Sequence, residues 1–202
     1  MDVMRQYVVI NPTVDPTWFG TVAGTSTTSA TITLTNAMAD YPRNLAYGIA
    51  HTAGSTAGGT WTVTGKNQFG ETISETVTQA TATAGGTTAG TKVFASVTSA
   101  VVNYTTMSPG AATARLGPAI GTAAGLVGYF GLPDKIAAVS DVKSITWRSV
   151  GTSITMNGGT VDDTLVGVTN HTFNGTAIIA VTDGFLVNYR STYAAQENVQ
   201  TL

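Results

Sequence analysis

The chain has 202 residues, no cysteine, and nine basic against eleven acidic residues, a net charge of −2. Its charged fraction of 10% is less than half the usual share of about 25%, while its hydrophobic fraction of 43% is ordinary for a globular protein. That balance excludes a disordered chain, the missing cysteines exclude disulfides and thiolate metal sites, and singly scattered Lys and Arg argue against nucleic acid as a partner.

Thr, Ser, Gly, Ala and Asn replace the missing charges, and Thr alone is about one residue in five, far above normal usage. Thr favours strands. A surface with so little charge is poorly protected against association.

In chain order, residues 1–26 read as an extended N-terminal arm. The first ten residues lack the basic start, apolar run and small-residue cleavage site of a signal peptide. Residues 6–10 suit a short strand, and Asn11-Pro12 and Asp15-Pro16 hold the chain extended. Trp18 and Phe19 then stand side by side, and on an extended chain they point to opposite faces. Either one ring caps the core while the other lies on a loop, or the pair anchors the arm in a neighbouring subunit.

Residues 27–35 alternate around Ile32 and Leu34 as a strand. Residues 36–45 carry Pro42 and a mild helical rhythm (Ala37, Met38, Tyr41, Leu45), enough for one short turn. Residues 47–51 form a strand, and residues 52–59 read as a Gly/Ser/Ala linker.

The clearest signal follows. In residues 60–64, Trp61 and Val63 point one way and Thr60, Thr62 and Thr64 the other; after a break, Ile73 and Val77 alternate with Thr72, Ser74, Thr76 and Thr78. A period of two marks strands with one face buried. Gly65-Lys66-Asn67-Gln68-Phe69-Gly70 between them is a turn, so this is a β-hairpin.

Residues 81–90 read as a low-complexity loop. Residues 92–104 form a strand with Val93, Ala95, Val97, Ser99 and Val101 on one side. From Arg115 to Asp134 no charge intervenes, and Gly117, Gly121 and Gly125 stand at the spacing of packed membrane helices. Pro118 and five glycines oppose a helix, so the segment reads as an irregular loop packed close to other backbone, not a membrane span. Residues 142–150, 153–156, 161–169, 176–182 and 185–189 read as further strands. Ile145 and Trp147 face together, Asn157-Gly158-Gly159 turns the chain, and Asp183-Gly184 joins the last two strands. Residues 191–202 read as a tail. Closely spaced short strands without long helical patterns give an all-β fold, an antiparallel β-sandwich or barrel with Gly-rich loops, spanning residues 27–190.

Catalytic and metal chemistry find little support in these residues. His51 and His171 have no further His, Cys or carboxylate at ligand spacing. Asp162, Asp163 and Asp183 do not follow a calcium-loop frame. Glu71 and Glu75 face the same way about 13 Å apart along a strand, too far for an acid/base pair, and read as solvent-facing charges that discourage edge pairing. No Gly-x-Ser-x-Gly elbow and no phosphate-cradling loop are present. The three Asn-x-Thr triplets at Asn103, Asn170 and Asn174 are expected by chance in a Thr-rich chain. The expectation is a binding protein without cofactor, not an enzyme.

The frame "TVTGKNQFGETISETVT", followed by a Gly/Thr-rich gap and "GTKVFASVTSAVV", resembles a recurring pattern in structural proteins of tailed-bacteriophage virions. "GYFGLPDKI" (residues 128–136) and the late strand at residues 176–189 extend the resemblance to roughly half the chain. Within that group the chain looks like capsid decoration, or cement, proteins, which sit on the outer shell, often as trimers, and bridge neighbouring major capsid protein subunits. The resemblance implies a homo-oligomer on the capsid exterior. Tyr7, Trp18 and Phe19 of the arm and Tyr129 and Phe130 of the Gly-rich loop are the candidate interface residues, on the argument that aromatics in an arm and a loop are exposed. A receptor- or glycan-binding module of a tail fibre or spike is the alternative, and a tail, neck or major shell subunit a third.

Overall fold

The computed structural model describes residues 3–9, 15–24, 28–51, 56–83, 85–108, 111–119, 127–132, 142–147, 172–176 and 185–191. Among the described residues the chain forms strands β1 (Val3–Val9), β2 (Gly20–Gly24), β3 (Ser29–Thr31), β4 (Met38–Arg43), β5 (Leu45–His51), β6 (Thr56–Lys66), β7 (Thr72–Thr83), β8 (Gly85–Ala89), β9 (Phe94–Ser108), β10 (Ala112–Pro118), β11 (Val127–Gly131), β12 (Val142–Trp147), β13 (Thr172–Thr176) and β14 (Phe185–Ser191), and no helix. The fold is all-β, and its antiparallel sheets curl into a half-barrel.

Three sheets share the strands. The largest runs β13-β11-β4-β9-β6-β7, with β3 also on β9; the second runs β2-β10-β5-β8; the third runs β1-β14-β12. The hairpin read from the sequence is the β6–β7 pair, with Trp61 opposite Val77 and Val63 opposite Glu75. Its turn is held by Asn67, whose side-chain oxygen accepts from the amides of Phe69 (2.9 Å) and Glu71 (3.0 Å).

The core lies between the first two sheets. Trp61 and Val63 of β6 and Val97, Ala100, Val102 and Tyr104 of β9 meet Tyr47 and Ile49 of β5 and Ala112, Ala114 and Leu116 of β10. Alternation puts one face of each strand inward, and burial of those side chains is the main force joining the layers.

Several expectations change against this frame. The segment expected as an N-terminal arm carries β1, paired along its length with β14, and β2, paired with β10. Residues 36–45, expected to hold a helical turn, instead contain strand β4, because Tyr41 and Arg43 alternate into the interior and outweigh the weak helical spacing. Its ladder with β9 is irregular between Met38 and Arg43, the interval that contains Pro42.

Residues 81–90, expected as a loop, finish β7 and form β8 on the edge of β5. Gly85 turns the chain there at φ +88°, a conformation open to glycine. Residues 56–59, expected in a linker, begin β6, and the strand expected at residues 27–35 is only three residues long. The segment from Arg115, expected as an irregular loop, starts within β10 and reaches β11. Close backbone packing does occur at Gly117, which lies against Asp15 and Pro16.

The expected face holds at Val93, just before β9, and at Val97 within it, and then reverses. Thr64 stands opposite Ser99 and Gly65 opposite Val97, so Thr98 is an extra residue, and Ala100, Val102 and Tyr104 turn inward instead of Ser99 and Val101. A β-bulge switches the faces of everything beyond it. Gly65 permits it, since a methyl group there would strike the Ser96 carbonyl oxygen.

The strands expected at residues 153–156 and 161–169, the strand expected at 176–182 beyond Thr176 (which ends β13), the Asp183-Gly184 turn, His171, Asp162, Asp163 and the tail beyond Ser191 lie outside the described residues.

Candidate docking surface

The outward side chains of β3, β9, β6 and β7 form a grid set by strand register. Ser29, Asn103, Thr60 and Thr78 make one row; Thr31, Val101, Thr62 and Thr76 the next; Ser99, Thr64 and Ser74 a third. Each is exposed or half-buried. The grid carries hydroxyls, one amide and one valine, with no charge. Cross-strand hydroxyl contacts tie it together at Thr60–Thr78 and Thr64–Ser74, each 3.4 Å, and at Ser29–Asn103.

Two lysines border the grid at the turn end of the hairpin. Lys66 is exposed, and Lys92 donates from Nζ to the Ser74 carbonyl at 2.5 Å. A lysine on a strand carbonyl blunts further strand pairing there.

Beneath the grid the platform is locked by Glu75, 7% exposed. Its Oε2 accepts the Tyr47 hydroxyl at 2.8 Å, and its Oε1 accepts the Thr91 amide (2.7 Å), the Thr91 hydroxyl (3.2 Å) and the Lys92 amide (3.1 Å). Glu75 is therefore an interior clamp between sheets and not the solvent-facing charge expected of it. Alternation places it inward with Ile73 and Val77, and hydrogen bonding compensates the burial of its charge. Burial, then the Glu75 charge and hydrogen bond, push the Tyr47 hydroxyl well above its usual range.

The five aromatic residues singled out from sequence do not form one surface. Phe19 and Phe130 are 1% exposed and belong to the interior, so neither is available as an exposed anchor. Trp18 is half-buried and donates its indole N–H to the Met38 carbonyl at 3.0 Å, which fits the reading with one ring in the core and the other on a loop. Tyr129 is half-buried; its amide donates to Asn44 Oδ1 (2.8 Å) and its carbonyl accepts the Asn44 amide (2.9 Å). Asn44 also donates to the Gly90 carbonyl at 2.6 Å, so it joins β11 to the corner that Glu75 holds.

Tyr7 of β1 is half-buried near Tyr41 and Asp40. Its hydroxyl is pushed up to about 12 by burial first, then by Tyr41 and Asp40. Tyr41 is likewise raised to about 12 by burial, against the opposing pull of Arg43. Arg43, 1% exposed, donates to the Tyr41 hydroxyl (2.9 Å), lies 4.5 Å from that ring's centre and pairs with Asp40 (3.0 Å). Sequence reasoning missed this cluster and Asn44. The period of two across Ala39, Tyr41 and Arg43 is the signal that was available.

Among the described residues no three His, Asp or Glu side chains are grouped to hold a metal ion, and no helix is long and apolar enough to cross a membrane. Comparison with known protein families, curated proteins and solved structures finds no match to this chain.

Proposed function

We propose that the chain is a capsid decoration protein of a tailed bacteriophage, which docks on the outer shell as a homo-oligomer and bridges neighbouring major capsid protein subunits. The observation that carries the reading is the charge-free hydroxyl grid on β3, β9, β6 and β7, backed by the Glu75–Tyr47 hydrogen bond beneath it. Such a face meets a partner without stranding a charge, and it joins the virion resemblance of the hairpin and the strand after it.

The grid's size fits that role. Its eleven positions, at strand and residue spacings of about 4.8 and 6.8 Å, span roughly 350 Å². That is well under the ~800 Å² per partner of a stable pairwise interface. One copy adds a modest contact, and many copies on a lattice add up by multivalency. The receptor- or glycan-binding alternative gains less from these features, because sugar sites use exposed rings for stacking. Among the residues of described burial the exposed large hydrophobic side chains are Met4 and Met38, not aromatics.

Mass spectrometry of purified virions tests the reading by counting copies against the major shell protein. A ratio near one to one, with reduced heat tolerance of filled heads after deletion, is the expected result. A handful of copies per particle would overturn it and move the protein to a vertex or the tail.

A further inference from the structure

Two interior side chains carry polar atoms that no described group satisfies. Trp61 is wholly buried and its indole N–H has no acceptor, while Gln79 is 3% exposed and neither its amide oxygen nor its nitrogen has a partner. Folded proteins rarely leave such groups uncompensated.

Register brings the two together. Val77 stands opposite Trp61, and Gln79 stands opposite Gly59 two residues further along the same face of β7. Gln79 is therefore the diagonal neighbour of Trp61, a separation that long side chains span. Glycines surround the amide. Gly59 offers no side chain across the strand pair, and a methyl on Gly86 of β8 would lie 3.0 Å from Gln79 Nε2. Glu75, next along the inward face beyond Val77, already receives Tyr47, Thr91 and Lys92.

We propose that Gln79 and Trp61 form an internal hydration site between the two large sheets. A bound water accepts from the Trp61 indole N–H and donates to Gln79 Oε1, while the Gln79 amide nitrogen lies on the side of Gly86. Internal waters occupy polar interiors where two to four partners are on offer, and remain dry-excluded from purely apolar ones. Trp61 and Gln79 offer one donor and one acceptor to such a water, beside the Tyr47 ring that meets Trp61, Val77 opposite Trp61, and Ile49 near Gly59.

The test is water-to-protein NMR cross-relaxation on the full chain. The Trp61 indole proton and the Gln79 side-chain amide protons are expected to show contacts to long-lived water, and Gln79→Leu is expected to abolish the contact at Trp61 and lower Tm. Absence of any such contact in the wild-type chain overturns the proposal, independently of how the variant folds. A rise in Tm for Gln79→Leu also overturns it, because removing a dry, unsatisfied amide relieves a cost whereas removing a hydrated one exposes it.

Discussion

Glu75 of β7 and Tyr47 of β5 face each other across the two large sheets, joined by a 2.8 Å hydrogen bond in which the tyrosine donates. The same carboxylate holds the Thr91–Lys92 corner through two backbone amides. Gly90 completes the arrangement, because any side chain there would meet Glu75 and the Tyr47 ring. One buried acid thus fixes the spacing of the sheets and the start of β9.

Removing that acid leaves buried donors stranded. Glu75→Ala is expected to cost on the order of 3 kcal/mol or more, since an unsatisfied buried donor costs about 1–3 kcal/mol. Tyr47→Phe is expected to cost about 1–2 kcal/mol, keeping the ring's edge contact with Trp61 at 5.7 Å. Urea unfolding of both singles and the double variant gives the coupling; additivity would mean that the two residues act separately.

The bulge at Gly65 gives a second expectation. Gly65→Ala drives a methyl into the Ser96 carbonyl and against Phe94, so the β6–β9 ladder must shift. A loss of roughly 2 kcal/mol or more is expected, as for overpacked core positions. Gly70 has φ +79° but open space around it, so Gly70→Ala is expected to cost only about 1 kcal/mol of backbone strain. Thermal unfolding separates the two, and equal losses would contradict the steric account.

Alkaline pH is expected to weaken the fold through Tyr7 and Tyr41. Each has an ordinary value of 10.0 and is pushed to about 12 in the folded chain. Below pH 10 both states hold these protons and stability is unaffected. Between about 10 and 12 the unfolded chain releases them while the folded chain keeps them, so stability falls by about 1.4 kcal/mol per pH unit for each group. Tyr7→Phe is expected to flatten that slope by one group's share, read from urea midpoints across the pH range.

What was legible in the sequence follows the strength of the alternation. Trp61 and Val63 in a Thr-rich run fix one buried face, and the hairpin is where it was expected. Burial in β7 also obeys the pattern, yet Glu75 was read by its charge instead of its place between Ile73 and Val77. Alternation cannot announce a bulge, so the reversal after Thr98 depended on an opposing glycine far away in the chain. Likewise β8, with Gly85, Gly86 and two threonines, has no side-chain signal of its own; backbone pairing to β5 makes it a strand. Two of the candidate interface residues misled for a related reason: Phe19 was read as part of an exposed arm and Phe130 as part of an exposed loop, whereas both fill the interior.

The hydroxyl grid yields the expectation that bears on the proposed role. Thr62 is exposed at its centre, opposite Thr76 on one side and Val101 on the other. Thr62→Glu changes strand preference by up to about 1 kcal/mol and leaves the fold intact. On docking it buries an unpaired charge, which costs far more than a neutral contact returns. Co-sedimentation of purified protein with emptied phage heads is expected to show wild-type and Thr62→Ser chains bound and Thr62→Glu chains free. Equal binding of all three would assign docking to another face, while failure of the wild-type chain to bind would reject the shell as its partner.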